Sequence, residues 1–428
     1  MKTTKILLIS LLAVIATLSS CRKDEIDLLR PDEMLSYTTP SQQFNSIWCS
    51  MNQSYVFWDI DPTDWDAVYD EYYPKFKELD KQEYVATKDL EALYSGAFKT
   101  IIDHHLLIEV FNQWADPNDS DDPGKLAFSP GNNEIQTRDY YHDCYGYGVW
   151  FATRQLSKLV EQGANITDFQ KGWDGENFYF ATALINDETV YVGFSGFNIF
   201  TSLPQAEEIV NAGEPEDEES EEYEIYERSK NLVDAFNTYK DNILYNPNVK
   251  NAIIDVRGNG GGYLVDEYFI LGLMVDQPIL AGYSRLKQGL GKYDYTPWLP
   301  HFFYPNEECR RLEGKIVLLA DLYSVSMAEM TTLLVKNLPN GCVIGERTFG
   351  GQGVLEGDFS ENYTGTFGSR EGPHFGYLCD RCVKTVDGKV LEGIGASPDI
   401  AMSYNLEEIV DDNDSWLMRA IEYISTGK

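Results

Sequence analysis

The stretch NAIIDVRGNGGG, residues 251–262, decides the fold. Asn251–Val256 reads as a short buried strand, and it ends in glycines that lead towards a helix near residues 264–275. Such a turn exposes main-chain N–H groups, because no Cβ blocks approach to them. Working outward, a helix over 226–243 precedes this strand. Downstream, strand 315–320 leads to helix 326–338 and then to strand 342–345. TVYVGFSGFNIF, residues 189–200, is strand-like, and 415–424 closes the chain as a short helix. Strand–helix alternation of this kind predicts an α/β core with parallel strands. No repeat of fixed period is present.

Upstream the pattern is helical. Phe44, Ile47, Trp48, Met51 and Tyr55 fall on one helix face. Trp65, Val68, Tyr69 and Tyr72 form a second stripe behind a Thr63-x-x-Asp66 start signal, and Leu90, Leu93, Tyr94, Ala97 and Ile101 form a third, running towards Asp103-His104-His105. Residues 116–124 and 129–133 are turn-rich, and CYGYGVWF, residues 144–151, reads as the start of a strand. Eight of the eleven residues 214–224 are acidic, which predicts a self-repelling loop.

The 428 residues carry a formal charge of −35, with 43% apolar and 13% aromatic residues. The apolar content is enough for a sizeable core. The acidity argues against binding nucleic acid or an anionic membrane through a basic surface. Residues 1–21 read as a targeting segment: Lys2 and Lys5, an apolar run from Ile6 to Leu18, then Leu18-Ser19-Ser20-Cys21. That ending resembles a bacterial lipobox, which implies cleavage before Cys21 and a diacylglycerol on its thiol. Arg22-Lys23-Asp24-Glu25 is similar to the surface-export signal of some lipoproteins, so the expected place is the outer membrane or cell surface, with a periplasm-facing anchor as the alternative. Of the seven cysteines, Cys379 and Cys382 form a CxxC with His374 nearby. One CxxC and one histidine make an incomplete zinc set, so a local disulfide or two buried thiols is expected.

Three segments carry chemistry. In the 254–262 turn, GxGxxG would need glycine at Tyr263 and no P-loop Lys-Ser/Thr follows, so the amides are free for another anion, such as a tetrahedral oxyanion. Ser326, in ADLYSVSMAE (320–329), sits where a strand turns into a helix. It reads either as a nucleophile, with the Met327 amide stabilising the oxyanion, or as a Ser-x-x-Glu helix cap with Glu329. His104 and His105 can bind a metal or act as a base.

The 254–262 turn, the SMAE elbow, Gly345-Glu346-Arg347-Thr348-Phe349-Gly350, and the segment from Val390 to Asp399 together resemble the tail-specific (C-terminal processing) serine peptidases. The resemblance covers roughly residues 190–410, and the N-terminal helices resemble that family's N-terminal region. It implies a mixed α/β fold: a peptidase core of the ClpP/crotonase-like type over 189–428, a helical domain over 41–111, and between them (112–188) a lid or a degenerate PDZ-like region in which Gly146–Val149 would form a carboxylate loop. A linker would occupy 22–40.

One branch of the family uses a Ser–Lys dyad whose lysine follows the Thr-Phe-Gly turn; here Gly351, Gln352 and Gly353 follow it. The other resembles the tricorn protease core and uses Ser, His and Glu. By resemblance to that branch, Ser326 is the nucleophile, His105 the base and Glu392 the acid, acting on His105 directly or through His104, which stands where that branch often has serine. Gly261 or Gly260, with Met327, would supply the oxyanion amides, and Glu329 a cap. No metal and no organic cofactor is expected. The partners implied are a peptide or unfolded protein as substrate and a membrane through the lipid on Cys21. A histidine base further implies that activity falls towards acid pH within pH 5–8. The rival readings are a non-catalytic peptide- or ligand-binding lipoprotein on the same fold and, more remotely, a zinc hydrolase built on His104 and His105.

Overall fold

The computed structural model describes residues 38–130, 147–176, 178–355 and 365–428. Cys21, the lipobox and Cys144 lie outside them. Three helices lead: α1 (Pro40–Ser54), α2 (Trp65–Leu79) and α3 (Thr87–Phe98). The three stripes become one core, with Phe44, Ile47, Met51, Trp65, Phe76, Leu90 and Tyr94 all buried. Two strands follow, β1 (Leu107–Phe111) and β2 (Lys125–Phe128), then α4 (Tyr147–Glu161). Next come β3 (Ile166–Trp173), β4 (Tyr179–Ile185), β5 (Thr189–Phe194), α5 (Ile199–Ala212), α6 (Glu221–Tyr245) and β6 (Asn251–Asp255). The second half holds β7 (Ile279–Leu286), β8 (Leu299–Phe303), β9 (Ile316–Ala320), α7 (Met327–Asn337) and β10 (Gly341–Gly345). It ends in β11 (Thr366–Gly368), β12 (His374–Tyr377), β13 (Arg381–Lys384), β14 (Ile400–Ala401), α8 (Leu406–Val410) and α9 (Ser415–Thr426).

The central sheet runs β14-β10-β9-β6-β5-β4-β3. Strands β5, β6, β9, β10 and β14 are parallel, as the alternation predicts, and β4 and β3 extend the sheet antiparallel. Both faces are covered: apolar residues of β5, β6 and β9 split between a cluster under α5, α6 and α7 and one under α4 and α9. That explains why these strands read as continuous apolar runs rather than alternating ones. The fold is mixed α/β throughout.

Four local readings change. Residues 147–151 form the first turns of helix α4 rather than a strand: Val149, Ala152 and Leu156 share one buried face, and a Cβ on Gly148 would stand 2.4 Å from the Arg257 carbonyl oxygen. The glycine there lets a helix approach the end of β6, so 147–149 form no carboxylate loop; Gly146 lies outside the described residues. The acidic block is not wholly loop, since Ser220 caps α6 and Glu221, Glu222 and Glu224 occupy its first turn, where negative charge is favoured. The expected helix near 264–275 is two short 3₁₀ turns, Leu264–Phe269 and Leu271–Leu273. The third N-terminal helix stops at Phe98, so the histidines sit in the turn before β1.

Candidate active site

Neighbouring parallel strands bring their C-terminal ends together, and β6 lies beside β9 with Asp255 opposite Leu319. The glycine turn after β6 therefore meets the elbow after β9. Three bonds tie them: Ser324 Oγ donates to the Val256 carbonyl at 2.7 Å, the Gly258 amide to Asp321 Oδ1 at 3.0 Å, and the Val325 amide to the Asn259 carbonyl at 2.9 Å. Arg257 faces away from the cavity. Its buried guanidinium holds Asp255 (2.6 Å) and Asp414 (2.7 Å), fastening the end of β6 to the start of α9.

Ser326 has φ 58° and ψ −113°, a left-handed conformation that costs a non-glycine residue about 1–3 kcal/mol. Its neighbours fix it. The Ser326 amide donates to the Gly351 carbonyl at 3.1 Å, and a Cβ on Gly261 (φ +89°) would lie 2.6 Å from the Ser326 Cβ. Glycine at 261 is therefore required by contact as well as by conformation. The Gly261 amide is engaged by Asn259 Oδ1 at 2.9 Å, whereas no hydrogen bond among the described residues takes up the Gly260 or Met327 amide.

Two buried carboxylates organise the turn 348–353, and nothing in the sequence pattern announces that arrangement. Glu329 accepts from Thr348 Oγ1 (2.6 Å) and from the amides of Gly350 (2.9 Å) and Gly351 (2.6 Å), and its contact with the elbow is the Ser326 amide at 3.4 Å. Glu392 accepts from the amides of Gln352 (2.9 Å), Gly353 (2.8 Å) and His104 (3.2 Å). Burial pushes Glu329 up to about 7. Burial, then the nearby Asp103 charge, pushes Glu392 well above the usual carboxylate range. The bonds that Glu392 makes are to main-chain amides, and among the described residues none joins it to either imidazole ring. The His104 ring lies against Phe349, with centroids 4.4 Å apart.

His105 lines a cavity of about 560 Å³ together with Ser326, Met327, Gly260 and Gln352. Its Nδ1 lies 3.6 Å from Cys379 Sγ, and that thiol reaches Asp103 Oδ1 at 3.5 Å. Asp103 Oδ1 also accepts the His105 amide at 2.8 Å. This leaves Nε2 as the ring nitrogen open to the cavity. Burial, then His104, lowers His105 to about 4. Burial raises Asp103 to about 6, and burial with the Asp103 charge raises the Cys379 thiol well above its ordinary value. No hydrogen bond among the described residues joins Ser326 Oγ to His105; such contacts are often long without substrate. Cys379 and Cys382 are both buried free thiols, and His374 sits on β12, paired with Val110 of β1.

Sequence alone places Asp103 beside the histidines and Cys379 in a structural CxxC, but gives neither of them, nor Gln352, a contact with the His105 ring or a place in the cavity. The signal for Asp103 is its place beside the two histidines. Cys379 reaches His105 only because β12 pairs with β1, and no short-range signal carries that.

Residues 223–402 match the model of Peptidase family S41. That stretch holds the glycine turn, Ser326 and Glu392 and leaves His104 and His105 outside it. A putative peptidase from Parabacteroides merdae ATCC 43184 shares the fold at 19% identity and a TM-score of 0.59, with 92% of this chain and 98% of that one covered. Mature CPAF complexed with lactacystin aligns at 12% identity and 0.54, covering 90% and 98%. No curated protein matches this chain.

Proposed function

We propose that this chain, matched to peptidase family S41 over residues 223–402, is a serine endopeptidase that uses Ser326 as nucleophile and His105 as base. The family match supports a peptidase acting on a peptide or protein substrate. One observation carries the assignment of residues. Ser326, held at positive φ against a glycine that cannot bear a Cβ, shares a cavity with an imidazole brought from a turn more than two hundred residues upstream.

The chemistry follows from the groups present. A serine hydroxyl needs a base, and the Nε2 of a neutral His105 takes the Oγ proton as Oγ attacks the scissile carbonyl. The oxyanion is received by the Met327 amide, at the helix N-terminus, and by Gly260, whose amide no described residue engages. The proton on Nε2 passes to the leaving amine, and water then cleaves the acyl-enzyme by the same path reversed. On its other side His105 is positioned by Cys379 and Asp103. Glu392 acts on the base through main chain, by holding the His104 amide and the 352–353 turn. Met327, Met330, Val354 and Leu355 around the cavity favour an apolar substrate side chain next to the scissile bond. Cleavage near C-termini, a lipid anchor on Cys21, and residence at the outer membrane or cell surface complete the reading. Among the described residues no helix is long and apolar enough to cross a membrane.

The test is cleavage of a peptide library by the full chain beside Ser326→Ala and His105→Ala. The expected result is hydrolysis that falls on the order of 10⁵–10⁶-fold in either variant. Cleavage that persists in Ser326→Ala would remove the assignment.

A further inference from the structure

Behind the base lies a set of groups whose chemistry goes beyond positioning it. Asp103, His105 and Cys379 place a carboxylate oxygen, an imidazole nitrogen and a thiol sulfur within 4.8 Å of one another. Two edges of this triangle measure 3.6 Å (Nδ1 to Sγ) and 3.5 Å (Sγ to Oδ1). A tetrahedral ion at about 2.0–2.3 Å from each ligand needs ligand–ligand separations of roughly 3.3–3.8 Å. The charge also fits. Asp103 is fully buried, and no ion pair among the described residues includes it, so its carboxylate has no cation beside it. A divalent ion with one thiolate, one carboxylate and one neutral imidazole sums to zero, which a buried site tolerates best.

We propose that Asp103, His105 and Cys379 form a site for a thiophilic divalent cation of the zinc class, and that its occupancy silences the peptidase. Sulfur with imidazole selects zinc over magnesium or calcium. Three protein ligands leave the fourth position of a tetrahedral ion for a water or hydroxide. The proton balance gives the consequence. Binding expels the Cys379 thiol proton to solvent and occupies the Nδ1 lone pair, so the one proton of neutral His105 must reside on Nε2. An imidazole protonated there cannot accept the proton of Ser326. The silencing half of the proposal rests on the peptidase reading above; the binding half does not.

The experiment titrates cobalt(II) into the reduced full chain and reads the near-ultraviolet thiolate-to-metal charge-transfer band, with hydrolysis followed in parallel under added zinc. The expected result is a band at one equivalent in the wild type and in Cys382→Ser, lost in Cys379→Ser and weakened at least tenfold in affinity in Asp103→Asn. Zinc should suppress wild-type hydrolysis more than tenfold, and any activity left in Cys379→Ser should become at least tenfold less zinc-sensitive. Circular dichroism keeps a misfolded variant from being read as a lost ligand. No band in the wild type, or an undiminished band in folded Cys379→Ser, overturns the site while leaving the peptidase reading intact. The band without any hydrolysis upholds the site and overturns the peptidase reading. Hydrolysis unaffected by zinc at concentrations that fill the site overturns the silencing.

Discussion

Gly261 and Ser326 can be judged only together. The serine tolerates its backbone because the glycine beside it is bare, and the glycine is bare because the serine is there. Gly261→Ala would set a Cβ 2.6 Å from the Ser326 Cβ and 2.8 Å from the Val325 carbonyl oxygen. The expected outcome is a loss of kcat of at least 10²-fold with the fold retained, as displacement of reacting groups by about 1 Å costs; steady-state kinetics and circular dichroism check it. The base makes a second prediction. Free histidine titrates near 6.5, but burial holds His105 neutral down to about 4. In the proposed mechanism the neutral form is the active one, so kcat/KM should lack the limb expected from the sequence between pH 5 and 8. It should fall only as pH drops below about 5, and a pH–rate profile over pH 4–8 measures this.

Elements place these residues, and their legibility differs for a physical reason. Strands β5, β6, β9 and β10 are readable because each is a continuous apolar run buried on both faces, and helices α1 to α3 because their stripes keep the helical period. Helix α4 reads as a strand because glycines at 146 and 148 look like turn residues, whereas Gly148 lets the helix touch the Arg257 carbonyl. The contacts of Glu392 and Cys379 are invisible in the sequence, since they depend on long-range pairing rather than local pattern. Arg257, within the motif that suggests an oxyanion site, instead joins β6 to α9 through Asp255 and Asp414. Arg257→Met leaves two buried carboxylates unpaired and should destabilise by about 3–5 kcal/mol. Adding Asp255→Asn and Asp414→Asn should recover part of that loss, and urea unfolding midpoints of the two variants decide it.

At the scale of the molecule the proposed nucleophile and base come from two cores. Ser326 belongs to the central sheet, and His105 to the helical unit, which the pairing of β1 with β12 ties to the C-terminal segment. The same interior stores acids above their ordinary range: Glu267 at about 8 and Glu329 at about 7, both through burial. Their folded values exceed the unfolded ones, so the folded state binds more protons and stability falls as pH rises through that window. His105 and His374, lowered to about 4, act in the opposite sense but only below their unfolded value of about 6.5. Between pH 6.5 and 7.5, below the range in which Lys287, lowered by burial to about 8, acts in the opposite sense, the acids decide, and the unfolding temperature should fall. A midpoint that rises over that range would show that these carboxyls are ionised in the fold.

The reactivity of the serine tests the central claim most directly. The full chain is incubated with a fluorophosphonate and digested, and the adduct is located by mass spectrometry. One adduct is expected, on Ser326, absent from Ser326→Ala and slowed at least 10³-fold in His105→Ala. A folded wild-type protein that stays unlabelled, or that is labelled at another residue, would contradict the assignment of Ser326 as an activated nucleophile.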